Sequence, residues 1–307
     1  MLKKNELRDR FRGCLLGGVL GADLCTSSCV MREKTCSYGR PRPESVKLEN
    51  GELGHIVQEL EGTAKGILQA EAHFVHGDED YLNAVEGALG PWRKKNIEDA
   101  KVSVLLQMAP LGLFFEPKVA ARLGAAWADR VHTDMKEKLG AATLAHLLSS
   151  LVNTPELPLL ESVRESLRAT ANSYRSSKEL DSFLETMVRA ARLAQKQETA
   201  VLPEREIQEE LGEEPLPKAV YAALKYEQDL VQGLEAVASN RQTDLLTGAV
   251  LGNILGAHLG SGLLPAKELR KLPRRRELVL LAYDLEAGEP YKNDTEAVAA
   301  WCSRYLK

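Results

Sequence analysis

Glycine recurs at every fourth position in the stretch TGAVLGNILGAHLG, which spans residues 247 to 260. Positions four apart lie on the same face of an α-helix, so Gly248, Gly252, Gly256 and Gly260 form one strip without side chains. Two helices approach each other more closely where the residues in contact are small. We therefore expect this segment to be a helix whose backbone lies against that of a neighbouring helix.

The head of the same helix has an unusual composition. Residues 239 to 244 read SNRQTD, six polar residues of mixed chemistry. An ordinary helix start needs only one capping side chain, so capping does not account for this segment. The pattern is typical of a helix head that serves, or once served, another purpose.

The rest of the chain is also predicted to be helical. Segments such as KVAARLGAAWADRV, EKLGAATLAHLLSSLV and ELDSFLETMVRAARLAQKQ repeat apolar residues at the three- and four-residue spacing of amphipathic helices, and strand patterns are nearly absent. Breaks rich in proline and glycine are expected at 38–45, 89–96, 153–158, 212–218 and 287–294. None is long enough to be a flexible linker. We predict one all-α domain over residues 1–307, a single compact orthogonal bundle of roughly a dozen helices.

Composition and charge exclude several classes of protein. The chain has 307 residues, of which 44% are hydrophobic and 27% charged, and its net charge is -4. This charge gives no general attraction to nucleic acids or anionic lipids, and the longest basic run, Arg274 to Arg276, is expected to be a solvated helix start. No segment approaches the roughly 20 apolar residues of a membrane span, and the charged N-terminus is unlike a secretory signal. We expect a cytoplasmic protein that binds neither nucleic acid nor membrane.

The five cysteines do not form a metal-binding pattern. Cys25 and Cys29 are one helical turn apart, and Cys14, Cys36 and Cys302 lie apart from this pair. A zinc site needs a second pair of cysteines, or histidines at ligand spacing, and the chain offers neither. We therefore expect free thiols, with Cys14 in the apolar core.

Four segments of the chain, taken in order, follow the pattern of a known family. They are RFRGCLLGGVLGADLC at 10–25, VSVLLQMAPLGLFF at 102–115, RVHTDMKEKLGAATLAHLL at 130–148 and the helix at 239–260. In order and spacing they resemble the ADP-ribosylglycohydrolase family. The family's opening R-G-C-L-x-G-x-x-x-G-D is matched at Arg12, Gly13, Cys14, Leu15, Gly17 and Gly21, and its M-R-x-A-P-L-G at Leu106, Gln107, Ala109, Pro110, Leu111 and Gly112. The resemblance covers nearly the whole chain and implies the all-α fold of that family.

The resemblance also implies a specific chemistry. Members of the family cleave the bond between ADP-ribose and a side chain or metabolite. They use two magnesium ions, which are held by a T-D-D-T motif near position 55 and a G-G-D-T-D-T motif at the head of the late glycine-rich helix. Magnesium needs several oxygen ligands that converge on one point. The acids of these two motifs are therefore required for the family's reaction.

Neither motif keeps its acids in this chain. Aligned on the glycine-rich helix, the late D-T-D-T falls on residues 239–242, which are Ser239, Asn240, Arg241 and Gln242. Aligned on GTAKGILQA at 62–70, the early T-D-D-T falls on residues 54–57, which are Gly54, His55, Ile56 and Val57. We therefore predict that the magnesium site is lost and that the protein uses no metal or other cofactor.

The residues left at these degenerate positions are the candidate site. They are Asp23, which follows an alanine where the family has aspartate, and His55, Ser239, Arg241 and Asp244. We expect residues 12–25, 54–58 and 239–244 to surround one cleft. We also expect Arg241 to bridge to Asp23 or Asp244 where a metal would otherwise lie, because an unpaired buried guanidinium is unfavourable.

Nucleotide binding is expected to be weakened as well. The resemblance implies that the segment with Ser103 and Gln107 wraps the phosphates of ADP-ribose, and that His132 matches a histidine of the family. Bulky Val102 and Val104 replace the family's glycine-rich approach and would crowd a phosphate. Ser103, Gln107 and His132 are thus the candidates for any remaining ligand contact.

Three functions of different class remain open. The first is a catalytically degenerate family member kept as a structural or partner-binding protein, as in the jellyfish J crystallins and the fish selenoprotein J group, which the chain resembles; its partner is another protein or a second copy. The second is a metal-independent ADP-ribosyl or N-glycosyl hydrolase, or an ADP-ribose-binding protein, with Asp23, His55 or Asp244 as general acid or base. The third is a redox protein built on the cysteines at 25, 29 and 36.

Overall fold

The computed structural model describes residues 4–35, 52–72, 77–96, 104–131, 134–196, 204–238, 245–288 and 295–305. Over these ranges it contains fifteen α-helices, two short 3₁₀ turns (Val104–Gln107 and Ser261–Leu263) and no strand. The α-helices are α1 (Lys4–Thr35), α2 (Glu52–Ala72), α3 (Asp78–Asn96), α4 (Met108–Phe114), α5 (Pro117–Val131), α6 (Met135–Asn153), α7 (Leu159–Ser173), α8 (Lys178–Gln195), α9 (Glu204–Leu211), α10 (Pro215–Lys225), α11 (Leu230–Ala238), α12 (Leu245–Leu259), α13 (Ala266–Leu269), α14 (Arg275–Ala287) and α15 (Thr295–Tyr305). The predicted all-α class is confirmed.

The glycine strip of α12 packs against α1, which is the most extensive helix pairing of the described chain. The glycines of the two helices face each other in antiparallel order, as the pairs Gly13 and Gly256, Gly17 and Gly252, and Gly21 and Gly248. A Cβ atom added at any of these positions would collide with atoms of the facing helix. The expected backbone-to-backbone contact is therefore confirmed.

α12 lies in the centre of the core. Every residue from Thr247 to Ala257 is buried, which is typical of a helix surrounded by others on all sides. Its one buried amide side chain, Asn253, donates a hydrogen bond from Nδ2 to the backbone oxygen of Cys14 at 2.8 Å. All fifteen helices contribute to one cluster of buried apolar side chains, so the α1–α12 pair anchors the packing of the described chain.

Most of the expected helix breaks are present. α6 ends at Asn153 and α7 begins at Leu159, and α14 ends before Gly288, whose φ of 73° favours glycine. The break expected at 89–96 is wrong, because α3 continues through Pro91. A proline removes one bond to the carbonyl four residues earlier, here that of Gly87, which is exposed and can be satisfied by water. The region 38–45 lies outside the described residues.

The first turns of α1 contact the C-terminal ends of two helices and the 3₁₀ turn after α12. Arg10 Nη1 donates to the backbone oxygen of Leu151 at 3.0 Å and to that of Ala257 at 3.1 Å, near the C-terminal ends of α6 and α12. Asp9 accepts hydrogen bonds from Ser261 Oγ at 2.5 Å and from the backbone nitrogen of Gly262 at 3.2 Å. These contacts fix the 3₁₀ turn after α12 against α1. Within the described ranges, no helix is both long and apolar enough to cross a membrane.

Candidate functional site

The structure places three of the eight predicted site residues. Asp23 is half-buried near the end of the described side chains of α1, His55 is half-buried in the first turn of α2, and Gln107 ends the 3₁₀ turn before α4. Asp23 and His55 both have interaction partners. The other predicted site residues lie outside the described residues: Ser103, His132, Ser239, Arg241 and Asp244. Their expected cleft and the Arg241 bridge therefore stay predictions.

Two of the described cysteines, Cys14 and Cys25, have structural surroundings, whereas the side chains of Cys29 and Cys36 lie outside the described residues. Cys25 is buried and lies beside Gly248 in the first turn of α12. Cys14 is fully buried, and burial raises the pKa of its thiol far above the ordinary value, an effect that the amide of Asn253 reduces. A reactive cysteine needs an accessible thiolate. The described surroundings of Cys14 and Cys25 do not provide one.

Two buried acids of α2 were missed by the sequence analysis. The side chain of Glu59 is fully buried and accepts a hydrogen bond from Gln107 Nε2, and Trp127 Nε1 donates to Gln107 Oε1. Both ends of the Gln107 amide are thus used inside the protein, where they connect α2 with α5. Gln107 therefore has a structural role in the described geometry, and its side chain is fully buried and not accessible to a ligand.

The second buried acid, Glu61, is paired with two cations. Its exposed fraction is 3%, and its Oε2 atom lies 3.0 Å from Arg274 Nη2 and 3.4 Å from Lys65 Nζ. Burial raises the pKa of the carboxyl, whereas Arg274 and Lys65 lower it. The other oxygen, Oε1, has no hydrogen-bond partner among the described residues. A charged group is stable here because it is partly neutralised in place.

Arg274 reaches Glu61 from an uncommon backbone position. It is the residue before α14, and its φ of 50° makes it the one described residue other than glycine in the left-handed region. Such a conformation is costly for a residue with a Cβ atom. The run Arg274 to Arg276 is solvated at the helix start, as expected, but Arg274 is also the counter-charge of a buried acid.

A small cavity lies beside the head of α12. Its volume is about 210 Å³, and its lining is mostly apolar, with charged side chains from the first turn of α6 and from the residue before α10. Lys136 Nζ lies 3.6 Å from Glu214 Oε1, and Glu137 also lines the cavity. The lining residues are Leu105, Lys136, Glu137, Gly140, Phe183, Glu214, Pro215, Leu216, Pro217 and Leu246. Such a lining is poorly suited to a diphosphate, which needs an excess of cations or free N–H groups.

Comparison with known proteins identifies the family. The family model described as ADP-ribosylglycohydrolase matches residues 3–294. The chain belongs to the ADP-ribosylglycohydrolase family. A solved structure titled "ADP-ribosylglycohydrolase-related protein complex" is similar over 92% of this chain and 99% of that chain, with a TM-score of 0.60 and 20% identity, so the two share the fold. No curated protein sequence matches the chain.

Two acids of α2 follow the positions 54–57 to which the early acidic motif of the family is aligned. No acid lies at 54–57, as the first alignment gives, but Glu59 and Glu61 follow one turn later in the same helix. The quartet Leu60, Glu61, Gly62 and Thr63 keeps an acid and a threonine at the second and fourth positions of T-D-D-T. The signal that could have found it is QELEGTAKG, in which acids interrupt an apolar helix face. The expectation that positions 54–57 carry no acid holds in the sequence, and the alignment that places the motif there stays a prediction.

The acids of α2 do not assemble with other ligands in the part of the chain that the structure describes. There, no three side chains of His, Cys, Asp or Glu come close enough together to share a metal ion. Thr63 Oγ1 donates to the backbone oxygen of Glu59 at 2.8 Å, within its own helix. One oxygen of Glu61 is left for a metal, against the six that magnesium requires. The described residues of α2 therefore do not fit the family's metal.

Proposed function

We propose that this chain is a catalytically degenerate member of the ADP-ribosylglycohydrolase family that has lost the dinuclear magnesium site. It serves as a structural or partner-binding protein, as its resemblance to the J crystallins and selenoprotein J also suggests. The observation that carries the proposal is the pairing of Glu61, a buried acid one turn after the aligned positions of the early motif, with Arg274 and Lys65. Protein cations thus take the charge-balancing role that a divalent ion has in active relatives.

Electrostatics supports the loss of the metal. A magnesium ion binds oxygen at a distance of about 2 Å, and at Glu61 Oε2 it would lie close to the guanidinium of Arg274. Like charges at this separation repel each other strongly where little water screens them. The late motif adds no acid in the sequence alignment, because Arg241 and its neighbours stand where aspartates are expected.

The geometry also argues against retained ADP-ribose binding. Gln107 is fully buried, and Val104 fills the 3₁₀ turn of the segment that wraps phosphates in the family. The cavity beside α12 carries two glutamates and one lysine, so a diphosphate would meet net negative charge. The burial of Cys25 speaks against a redox role.

Magnesium binding and hydrolysis test the proposal directly. Isothermal titration of the full chain with magnesium is expected to give no micromolar binding, and incubation with ADP-ribosyl-arginine or ADP-ribosyl-serine is expected to release no ADP-ribose above the protein-free rate. Hydrolysis that a chelator abolishes would refute the loss of the metal site. Hydrolysis that a chelator leaves unchanged would favour the metal-independent enzyme. Rapid modification of Cys25 by a thiol reagent under native conditions would favour the redox protein.

A further inference from the structure

Exposed apolar side chains gather around the first turns of α1. Among the described side chains, the large hydrophobic residues that are most exposed include Leu263 at 65%, Leu280 at 41% and Tyr283 at 36%. Leu280 and Tyr283 lie one turn apart on the outer face of α14, and Leu263 ends the 3₁₀ turn after α12. Exposed apolar residues that cluster mark an interaction surface more often than scattered ones do.

Contacts with α1 join these side chains into one surface. Arg12 Nη1 lies 3.2 Å from the hydroxyl of Tyr283, and Arg12 Nη2 lies 2.6 Å from Asp9 Oδ1. Asp9 in turn accepts from the backbone nitrogen of Gly262, next to Leu263. The two apolar parts of the surface therefore lie on either side of the Asp9 and Arg12 side chains.

Four exposed cations belong to the elements that follow Leu263 and that carry Leu280 and Tyr283, and these elements pack against α1. Lys267 and Arg270 belong to α13 and the turn after it, and Arg275 and Arg276 to the first turn of α14. All four are exposed, and none forms an ion pair with a described residue. Arg276 lies one turn before Leu280 on the outer face of α14. We name these four cations together with Leu263, Leu280 and Tyr283 the basic-apolar face.

We propose that the basic-apolar face binds an acidic, amphipathic segment of another protein. The apolar side chains would contact the apolar side of such a segment, and the four cations would pair with carboxylates along its edge. Complementary charge of this kind sets orientation and speeds association. The inference rests on the partner-binding role proposed above, to which it adds a surface and a class of partner.

The other possible occupants fit less well. A symmetric second copy would place the cations of one face against those of the other, because the same surface meets itself across a two-fold axis. A nucleic acid base needs a free aromatic face, whereas the guanidinium carbons of Arg8 and Arg12 lie 5.7 and 5.8 Å from the centroid of the Tyr283 ring. Insertion into a bilayer needs a larger exposed apolar face, because more than half of Leu280 and of Tyr283 is already covered by the protein.

Binding of a synthetic peptide tests the assignment. The probe is a fluorescein-labelled helical peptide with leucine on one face and glutamate on the other, and fluorescence anisotropy measures its affinity for the full chain. The double variant Arg275→Glu with Arg276→Glu is expected to weaken binding by about tenfold or more. The helix should still form, because acidic residues are favourable in a first helical turn. Leu263→Asp is also expected to weaken binding.

A matched control separates the surface from net charge. Arg168→Glu with Arg192→Glu changes the net charge equally at exposed positions of α7 and α8, and it should leave the affinity within about twofold, since distant exposed charges are screened by salt. Equal losses in both double variants, or no binding of the peptide to the parent chain, would overturn the proposal. Two further results would overturn it when the peptide does not bind. One is that the parent chain binds phosphatidylserine vesicles and the Arg275 and Arg276 variant does not. The other is that the parent chain self-associates in sedimentation and the variant does not. None of these results bears on magnesium or hydrolysis, so the two proposals can fail separately.

Discussion

Replacement of Arg274 tests the pairing on which the proposed loss of the metal site depends. Arg274→Ala removes the guanidinium from Glu61 and leaves Lys65, 3.4 Å from the same oxygen, as the remaining cation. Glu61 stays buried, with one oxygen already lacking a hydrogen-bond partner among the described residues. The variant is therefore expected to lower the free energy of unfolding at neutral pH.

The size of this effect follows from burial. Loss of one partner of a fully buried ion pair costs about 3–5 kcal/mol, but the side chain of Arg274 is 43% exposed, so solvent screens part of the interaction. With Lys65 still present, we expect a loss of about 2 kcal/mol, or a decrease in Tm of roughly 4 °C for a chain of this size. Arg274→Gly should lose about 1 kcal/mol less than Arg274→Ala, because glycine relieves the left-handed backbone strain.

Urea unfolding of four proteins measures the pairing itself: the parent, Arg274→Ala, Glu61→Gln and the double variant. Arg274→Ala should be nearly neutral in the Glu61→Gln background, since no buried charge is left to neutralise. The loss should also shrink as the pH falls. Burial raises the pKa of Glu61, so the folded chain binds this proton at a higher pH than the unfolded chain, and stability falls as the pH rises through that pKa. Below it the carboxyl is protonated, and no charge is left for Arg274 to neutralise. Equal losses in both backgrounds, or a loss independent of pH, would refute the reasoning.

Three further predictions concern the fold. Gly252→Ala should destabilise the protein by about 3 kcal/mol or more in thermal unfolding, because the new Cβ collides with the backbone of Gly17. The control Gly87→Ala has open space around the new Cβ, so it should be neutral or stabilise the protein by up to about 1 kcal/mol. Arg10→Ala should lower stability by about 1–2 kcal/mol through the loss of two hydrogen bonds to helix ends, and a variant as stable as the parent in urea would contradict this. Burial, and to a smaller extent Lys118, lowers the pKa of His146 below its ordinary value of 6.5. Below pH 6.5 the unfolded chain therefore binds more protons than the folded chain, and the free energy of unfolding should fall as the pH drops. His146→Gln should make the free energy of unfolding less dependent on pH in this range.

The sequence predicted the features that depend on local pattern. Glycines at every fourth position specify a face that only another small-residue helix face can cover, and Gly17 against Gly252 is such a contact. The helix through Pro91 was not predictable in the same way, because tolerance of a proline depends on whether the carbonyl it leaves unpaired is exposed. That exposure is a property of the packed chain, and the local sequence does not encode it.

The Glu61 and Arg274 pair shows what the sequence analysis of the candidate site could not include. An alignment of short motifs directs attention to the aligned positions, here His55, and not to Glu61 one and a half turns later in the same helix. The acid itself was visible in the sequence as a charge within an apolar helix face, and such a charge must be neutralised if it is buried. Which cation does so depends on how α14 packs against α2, far apart in the chain, and on the left-handed backbone of Arg274. The sequence analysis assigned this neutralising role to Arg241 because only the family's motifs were available to place a cation. The general reasoning is that a protein cation balances a buried acid near the early motif, and it does not depend on which arginine does so. The double-variant cycle tests this reasoning at Glu61 and Arg274, the pair that the structure describes.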